Sequence, residues 1–225
     1  MAERFSIPED PRGDIFFAHQ VHRANADQDF GRLIYVGILY EEGQHVPKDM
    51  ARAMQYYKMA ADLNNDPDGC YLYATLLFDP YTKHHLHRAA AYLKKGVEQG
   101  HTGCMNKLGM LYIYFHYGLW ESRKTGMQLW LRAARLGDAE TQAQMGLALL
   151  KGQDLPYDLK KGCFWCVCAL LNQGSSRSLK KKMRDRLETL VRAQPQQMRL
   201  VQGLVQSIPN DYPQYLVKKE ERRFQ

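Results

Sequence analysis

Residue types that could do chemistry gather in a few places along the chain. Cys163, Cys166 and Cys168 form one cluster, and clustered thiolates are a common start to a zinc site. A structural zinc ion takes four ligands, however, and no second CxxC or suitably placed His pair completes the set. The three thiols therefore read as small apolar core residues. His84, His85 and His87 could hold a metal or respond to pH, but they read as a solvated His-rich loop. Between Arg177 and Arg192 seven cations (Arg177, Lys180, Lys181, Lys182, Arg184, Arg186 and Arg192) stand against Asp185 and Glu188, a composition suited to phosphates. No aromatics are interleaved there for base stacking, so the run reads first as a solvated capping helix. Asp49 and Asp158 are explained as helix caps rather than acid–base groups. No Gly-rich phosphate loop, GxSxG or HExxH is present. The expectation is a chain that is not an enzyme, with no catalytic residues, metal or cofactor.

The elements that hold these residues recur. A small residue followed three positions later by a large apolar one appears at Gly37 and Tyr40, Ala74 and Leu77, Gly109 and Tyr112, and Gly146 and Leu149. The small residues are 37, 35 and 37 positions apart. A second marker, Ala60-Ala61, Gly96-Val97, Ala133-Ala134 and Leu170-Leu171, recurs at 36, 37 and 37. Each copy of it lies just downstream of an aromatic: Tyr56 and Tyr57, Tyr92, Trp130, Trp165. Two independent markers with one period indicate a repeat architecture. The linkers repeat too: Gly43-Gln44-His45-Val46-Pro47-Lys48-Asp49 matches Gly152-Gln153-Asp154-Leu155-Pro156-Tyr157-Asp158. Gly ends one helix in the left-handed conformation, Pro prevents its continuation, and Asp caps the next. Each unit is thus helix A, a tight loop and helix B. The small residues let helices approach closely, and the aromatic fills the space between hairpins. One hairpin cannot bury its apolar face, so neighbours must stack.

The pattern resembles the Sel-one-like repeat (SLR) family, a relative of the tetratricopeptide repeat, with a motif close to LGxxYxxGxGVxxDxxxAxxWyxxAAxxG. The first copy matches at Val36, Gly37, Tyr40, Gly43, Val46, Asp49, Ala53, Tyr56, Ala60 and Ala61, and the fourth at Met145, Gly146, Gly152, Leu155, Asp158, Trp165, Ala169 and Gly174. Copies two and three depart from it in their loops, at Asp79-Pro80-Tyr81 and at Phe115-His116-Tyr117-Gly118. The resemblance implies an all-α, right-handed α-solenoid of about four helix-loop-helix repeats, and interaction scaffolding as its use. The expected division, all one domain, is an N-terminal capping helix in 1–28, repeats at about 30–65, 66–101, 102–138 and 139–174 within 29–174, C-terminal capping helices in 175–208 and a tail in 209–225. In the N-terminal helix, Asp14 to Ala26, the residues Ile15, Phe16, Val21 and His22 are expected to turn inward. The C-terminal helices carry Leu179, Met183, Leu187, Leu190 and Val191, then Met198, Leu200, Val201, Leu204 and Val205, at apolar helical spacing.

Composition agrees with a globular protein: 225 residues, 45% hydrophobic and 24% charged, with 31 cations against 24 anions for a net charge of +7. That excess favours acidic partners but says nothing of fold. The N-terminal residues show no apolar signal run, no stretch is long enough to span a bilayer, and five cysteines without paired spacing do not suggest a disulfide framework. The expected location is cytoplasmic.

The outer side of the A helices is the most informative surface. At 100° per residue, Val36, Leu39 and Tyr40 face helix B, whereas Ile34, Ile38 and Glu41 point away. The equivalents are Tyr71, Thr75 and Phe78, then Asn106, Met110 and Ile113, then Ala143, Leu147 and Leu150. Either neighbouring helices cover these residues, or they form an apolar concave groove for a partner helix or peptide, edged by Tyr114 and Tyr117. The candidate partner-binding residues are Ile34, Ile38, Tyr71, Thr75, Phe78, Asn106, Met110, Ile113, Tyr114 and Tyr117. The leading function is a protein-binding scaffold, adaptor or regulator; in a bacterial setting this narrows to an inhibitor or immunity partner of an effector. The partner is another protein or peptide, with no small-molecule substrate. The alternative is a binder of nucleic acid or an anionic surface through the basic C-terminal helix.

Overall fold

The computed structural model describes residues 19–20, 22–23, 30–78, 83–114, 123–152 and 155–207. Among them are ten α-helices: α1 (Phe30–Glu42), α2 (Met50–Asn64), α3 (Pro67–Leu76), α4 (Lys83–Glu98), α5 (Thr102–Tyr114), α6 (Arg123–Arg135), α7 (Ala139–Lys151), α8 (Leu159–Leu171), α9 (Arg177–Ala193) and, after a single 3-10 turn at Pro195–Gln197, α10 (Met198–Ser207). No helix among the described residues is long and apolar enough to cross a membrane. The chain divides into two compact units, Met1–Cys104 and Met105–Gln225.

In the first unit, each helix packs on the next from α1 to α4. Gly43 ends α1 at φ 75°, and the Gly43 and Gln44 N–H groups both donate to the Leu39 carbonyl at 3.0 Å. Val46 is buried under the loop. Asp49 then accepts from the N–H groups of Ala51 and Arg52 at 3.0 Å and so starts α2. Helices α2 and α3 meet where Gly69 lies against Ala60 and Ala61: a Cβ at Gly69 would stand 2.9 Å from both. The histidines expected in a loop lie instead at the start of α4. The buried series Leu86, Ala89, Ala90 and Leu93 has helical spacing, and the helix begins one turn before it, at Lys83; His85 and His87 are on its exposed side.

In the second unit the same joint recurs. Gly152 closes α7 at φ 68°, the Asp158 N–H donates to the Leu149 carbonyl at 3.1 Å as that of Asp49 does to Tyr40 at 2.9 Å, and Asp158 accepts from the Lys161 N–H at 2.9 Å to start α8. The core runs from Trp130 and Ile113 through Met145, Leu149, Trp165 and Cys166 to Met183 and Leu187. A buried polar chain ties it together: Asn172 Nδ2 donates to Gln142 Oε1 and the Gly137 carbonyl, and Gln142 Nε2 to the Ala134 carbonyl. Ser176 caps α9.

His22, expected to turn inward, is exposed on a short helical stretch; a 100° wheel for an isolated helix does not fix which side meets the fold. The remaining N-terminal positions Ile15, Phe16 and Val21, the loop residues Asp79-Pro80-Tyr81 and 115–118, and the tail 208–225 lie outside the described residues.

Candidate partner-binding face

The A helices α1, α3, α5 and α7 are each pinned by one side to a B helix. On α1, Val36, Leu39 and Tyr40 are buried. The Tyr40 ring stacks on Tyr56 at 5.7 Å, and its hydroxyl accepts from Arg52 at 3.2 Å. Gly37 makes this approach possible, because a Cβ there would stand 2.5 Å from the Tyr57 ring. The Tyr57 hydroxyl donates to Glu41 Oε2 at 2.6 Å. Glu41 therefore points toward α2, not away from it as its wheel position suggested; its long side chain reaches round the helix. Burial, and then this bond, pushes the Tyr57 phenol well above its ordinary range.

The opposite side of α1 stays partly open. Ile34 and Ile38 are half-buried, and Tyr35 is 41% exposed. Tyr35 was absent from the expected set, although it lies three residues from Ile38 and so on the same flank. On α3, Tyr71 and Thr75 are half-buried. The Tyr71 ring lies 5.3 Å from His101, and the Thr75 hydroxyl donates to the Tyr71 carbonyl at 2.8 Å. Phe78 is also half-buried, but it lies beyond the end of α3.

In the second unit, Met110 is half-buried and Tyr114 is 38% exposed, its ring edge-on to Trp130 at 5.8 Å. Two expected surface residues are corrected here. Ile113 is fully buried and Asn106 nearly so. Ile113 covers Gly126, where a Cβ would meet its Cγ1 at 2.9 Å, and the Asn106 carbonyl accepts from Trp130 Nε1 at 3.0 Å. On α7, Leu150 covers Gly162 in the same way and is buried with Ala143, while Leu147 is half-buried. A glycine on helix B draws the two helices so close that the last turn of helix A is roofed over. Tyr117 lies outside the described residues.

The other chemical candidates are not among these half-open residues. Cys163, Cys166 and Cys168 are buried, as are Cys70 and Cys104. Burial pushes the Cys166 thiol up to about 12 and that of Cys70 to about 11, which leaves little thiolate for chemistry at neutral pH. No group of three or more His, Cys, Asp or Glu among the described residues is placed to hold a metal ion. On α9, Met183 and Leu187 face the core while Lys181, Lys182 and Arg184 are exposed. What the A-helix face offers is half-open aliphatic and aromatic surface, suited to apolar side chains of another molecule.

A family model described as Sel1 repeat matches residues 33–65, 67–101, 103–138 and 139–171. Among solved structures, the chain is similar to a Sel1 repeat protein from Oxalobacter formigenes, with 22% identity and a TM-score of 0.64 over 90% of this chain and 78% of that one. It is also similar to a protective antigen of uropathogenic Escherichia coli displaying an SLR fold, with 18% identity and a TM-score of 0.56 over 92% of this chain and 51% of that one. A more distant likeness, 16% identical with a TM-score of 0.48 over 90% of this chain and 86% of that one, is to an immunity protein from Pseudomonas aeruginosa. The first two likenesses bear on fold alone. The matched repeats cover more than half of the chain in four consecutive copies, and their helix joints carry the spacing, caps and close contacts described above: the protein belongs to the Sel1 repeat family.

Proposed function

We propose that the chain is a protein-binding scaffold whose partner lies on the outer side of the A helices. The observation that carries this reading is the asymmetry of those helices. The side toward helix B is closed, whereas Ile34, Tyr35 and Ile38 on α1, Tyr71 and Thr75 on α3, Met110 and Tyr114 on α5 and Leu147 on α7 remain half-buried or exposed. Ile38, Thr75, Met110 and Leu147 occupy one equivalent position on the A helices, and half-open aromatic and aliphatic groups such as Tyr35, Tyr71 and Met110 supply the kind of anchors that dominate protein interfaces. A regulator or inhibitor of an effector is one form that such binding takes.

The test is Met110→Glu. A charge at this half-buried position is expected to leave the helical circular dichroism and cooperative melting in place and to abolish co-purification of the partner from cells. Gln128→Glu, at an exposed place on α6, is expected to retain it. A partner kept by Met110→Glu, or an unfolded Met110→Glu, would count against the assignment.

A further inference from the structure

The last three helices enclose an apolar cleft that repeat stacking does not explain. Leu170 of α8 and Leu187 of α9 form its floor, and Met198, Val201 and Val205 of α10 its wall, around about 320 Å³. Helix α10 has two apolar flanks. Leu200 and Leu204 pack on the core, whereas Met198 and Val205, 44% and 40% exposed, lie seven residues apart along the cleft. A helix that closes a solenoid is expected to turn a polar side to solvent; α10 instead keeps this apolar flank open.

The rim of the cleft is charged. Glu188 is paired with Arg192 at 3.7 Å. Arg184, also on the rim, and Arg177, Lys180, Lys181 and Lys182 along the same helix make no ion pair among the described residues. Among the described residues Arg184 thus stands unpaired on the rim beside exposed Met and Val, and Arg177 and Lys180, seven and four residues before it, share its side of α9. A nucleic-acid backbone would use the cations and leave the apolar wall unemployed, and a bilayer surface is too flat to reach the cleft floor at Leu170 and Leu187. A protein segment carrying apolar side chains beside Asp or Glu uses both, since apolar burial supplies affinity and charge complementarity fixes orientation and speeds encounter. The unbranched Met198 adapts its shape to such an occupant.

We infer that this cleft docks an acidic segment of a partner protein, its apolar side chains between α9 and α10 and its carboxylates against the cations of α9. The surface is formed by other helices than the A-helix face, and its test is independent of that one.

The full chain is immobilised and selected against a displayed library of random short peptides. Enriched peptides are expected to combine apolar residues with Asp or Glu. Their affinity is expected to fall at least about tenfold, or about 1.4 kcal/mol, both on Met198→Glu with Val205→Glu and on Arg184→Glu with Arg192→Glu, while Gln128→Glu leaves it unchanged. All these side chains are exposed, and circular dichroism checks that each variant is folded. The inference is overturned by a selection without enrichment, or by enriched peptides that bind both double variants as well as the parent. Tighter binding to duplex DNA, or to phosphatidylglycerol–phosphatidylcholine vesicles, than to any selected peptide assigns the surface to phosphates and overturns it. Concentration-dependent self-association lost in Met198→Glu assigns the cleft to a second copy. A tenfold gain in peptide affinity on Leu216→Glu assigns it to the chain's own C-terminal segment.

Discussion

Gly109 sits inside α5, where glycine lowers helix stability by roughly 0.5–1 kcal/mol relative to alanine. Its neighbour explains it: a Cβ there would stand 2.7 Å from Trp130 Nε1 and 3.0 Å from the Gly126 carbonyl. Gly109→Ala is therefore expected to destabilise by about 1–3 kcal/mol through overpacking, in spite of its better helix propensity. Gly203, in α10, has nothing within 4 Å of such a Cβ, and Gly203→Ala is expected to stabilise by about 0.5–1 kcal/mol. Urea unfolding of the two variants checks both, and shifts of the same sign would contradict the packing. The recurrence of Gly37, Gly109 and Gly146 was legible in the sequence because a close helix crossing imposes the same size limit in every copy. The reach of Glu41 to Tyr57 and the burial of Ile113 were not. A helical wheel gives direction but neither side-chain length nor the depth to which a facing glycine lets a partner helix sink.

The joints between helices divide into two kinds. The A-to-B joint was readable, since Gly43 with Asp49 and Gly152 with Asp158 repeat the same residue types at the same spacing. The B-to-A joint was not, because different side chains do one job. Asp66 accepts from the Gly69 N–H at 2.8 Å, Asp138 from Thr141 at 2.7 Å, and His101 Nδ1 from Cys104 at 3.0 Å; the shared feature is an acceptor three residues ahead of a free N–H. The His-rich start of α4 was misplaced for a related reason: its N-terminal residues are polar, and the apolar series that makes it helical begins only at Leu86. Asp158 offers a test of capping. The backbone N–H and then the ammonium of Lys161 hold its carboxyl below the usual carboxylate range. A depressed folded-state pKa means that the stabilisation is complete above the ordinary value of about 3.9 and is lost as pH falls through the lower, folded-state value. Asp158→Ala is expected to cost about 1 kcal/mol at neutral pH. Asp158→Asn, which still caps, is expected to remove the acid-dependent part alone. Urea midpoints followed from neutral to acid pH distinguish the two. An acid response in Asp158→Asn equal to that of the parent would contradict the role given to this carboxylate.

At the scale of the molecule, four copies of one hairpin leave two kinds of surface. Where helix meets helix, alanine, glycine and buried aromatics close the gap. Where helix A turns away from helix B, aliphatic and aromatic groups stay half-open in both units. The period itself was legible from the sequence; which apolar positions remain open was not, since amphipathic spacing ranks faces of one helix and is silent on what a second helix covers. Half of the expected face on α5 closed for that reason, and Tyr35 on α1 opened. The most direct test of the A-helix face places a photo-crosslinking amino acid, one site at a time, at Ile38 and Met110, one in each unit, and at Gln55 and Gln128 on exposed sides of α2 and α6. Illumination in cells is expected to join the same protein to the chain from Ile38 and Met110 and from neither glutamine position; adducts from the glutamine positions at equal yield, or from them alone, would contradict the account.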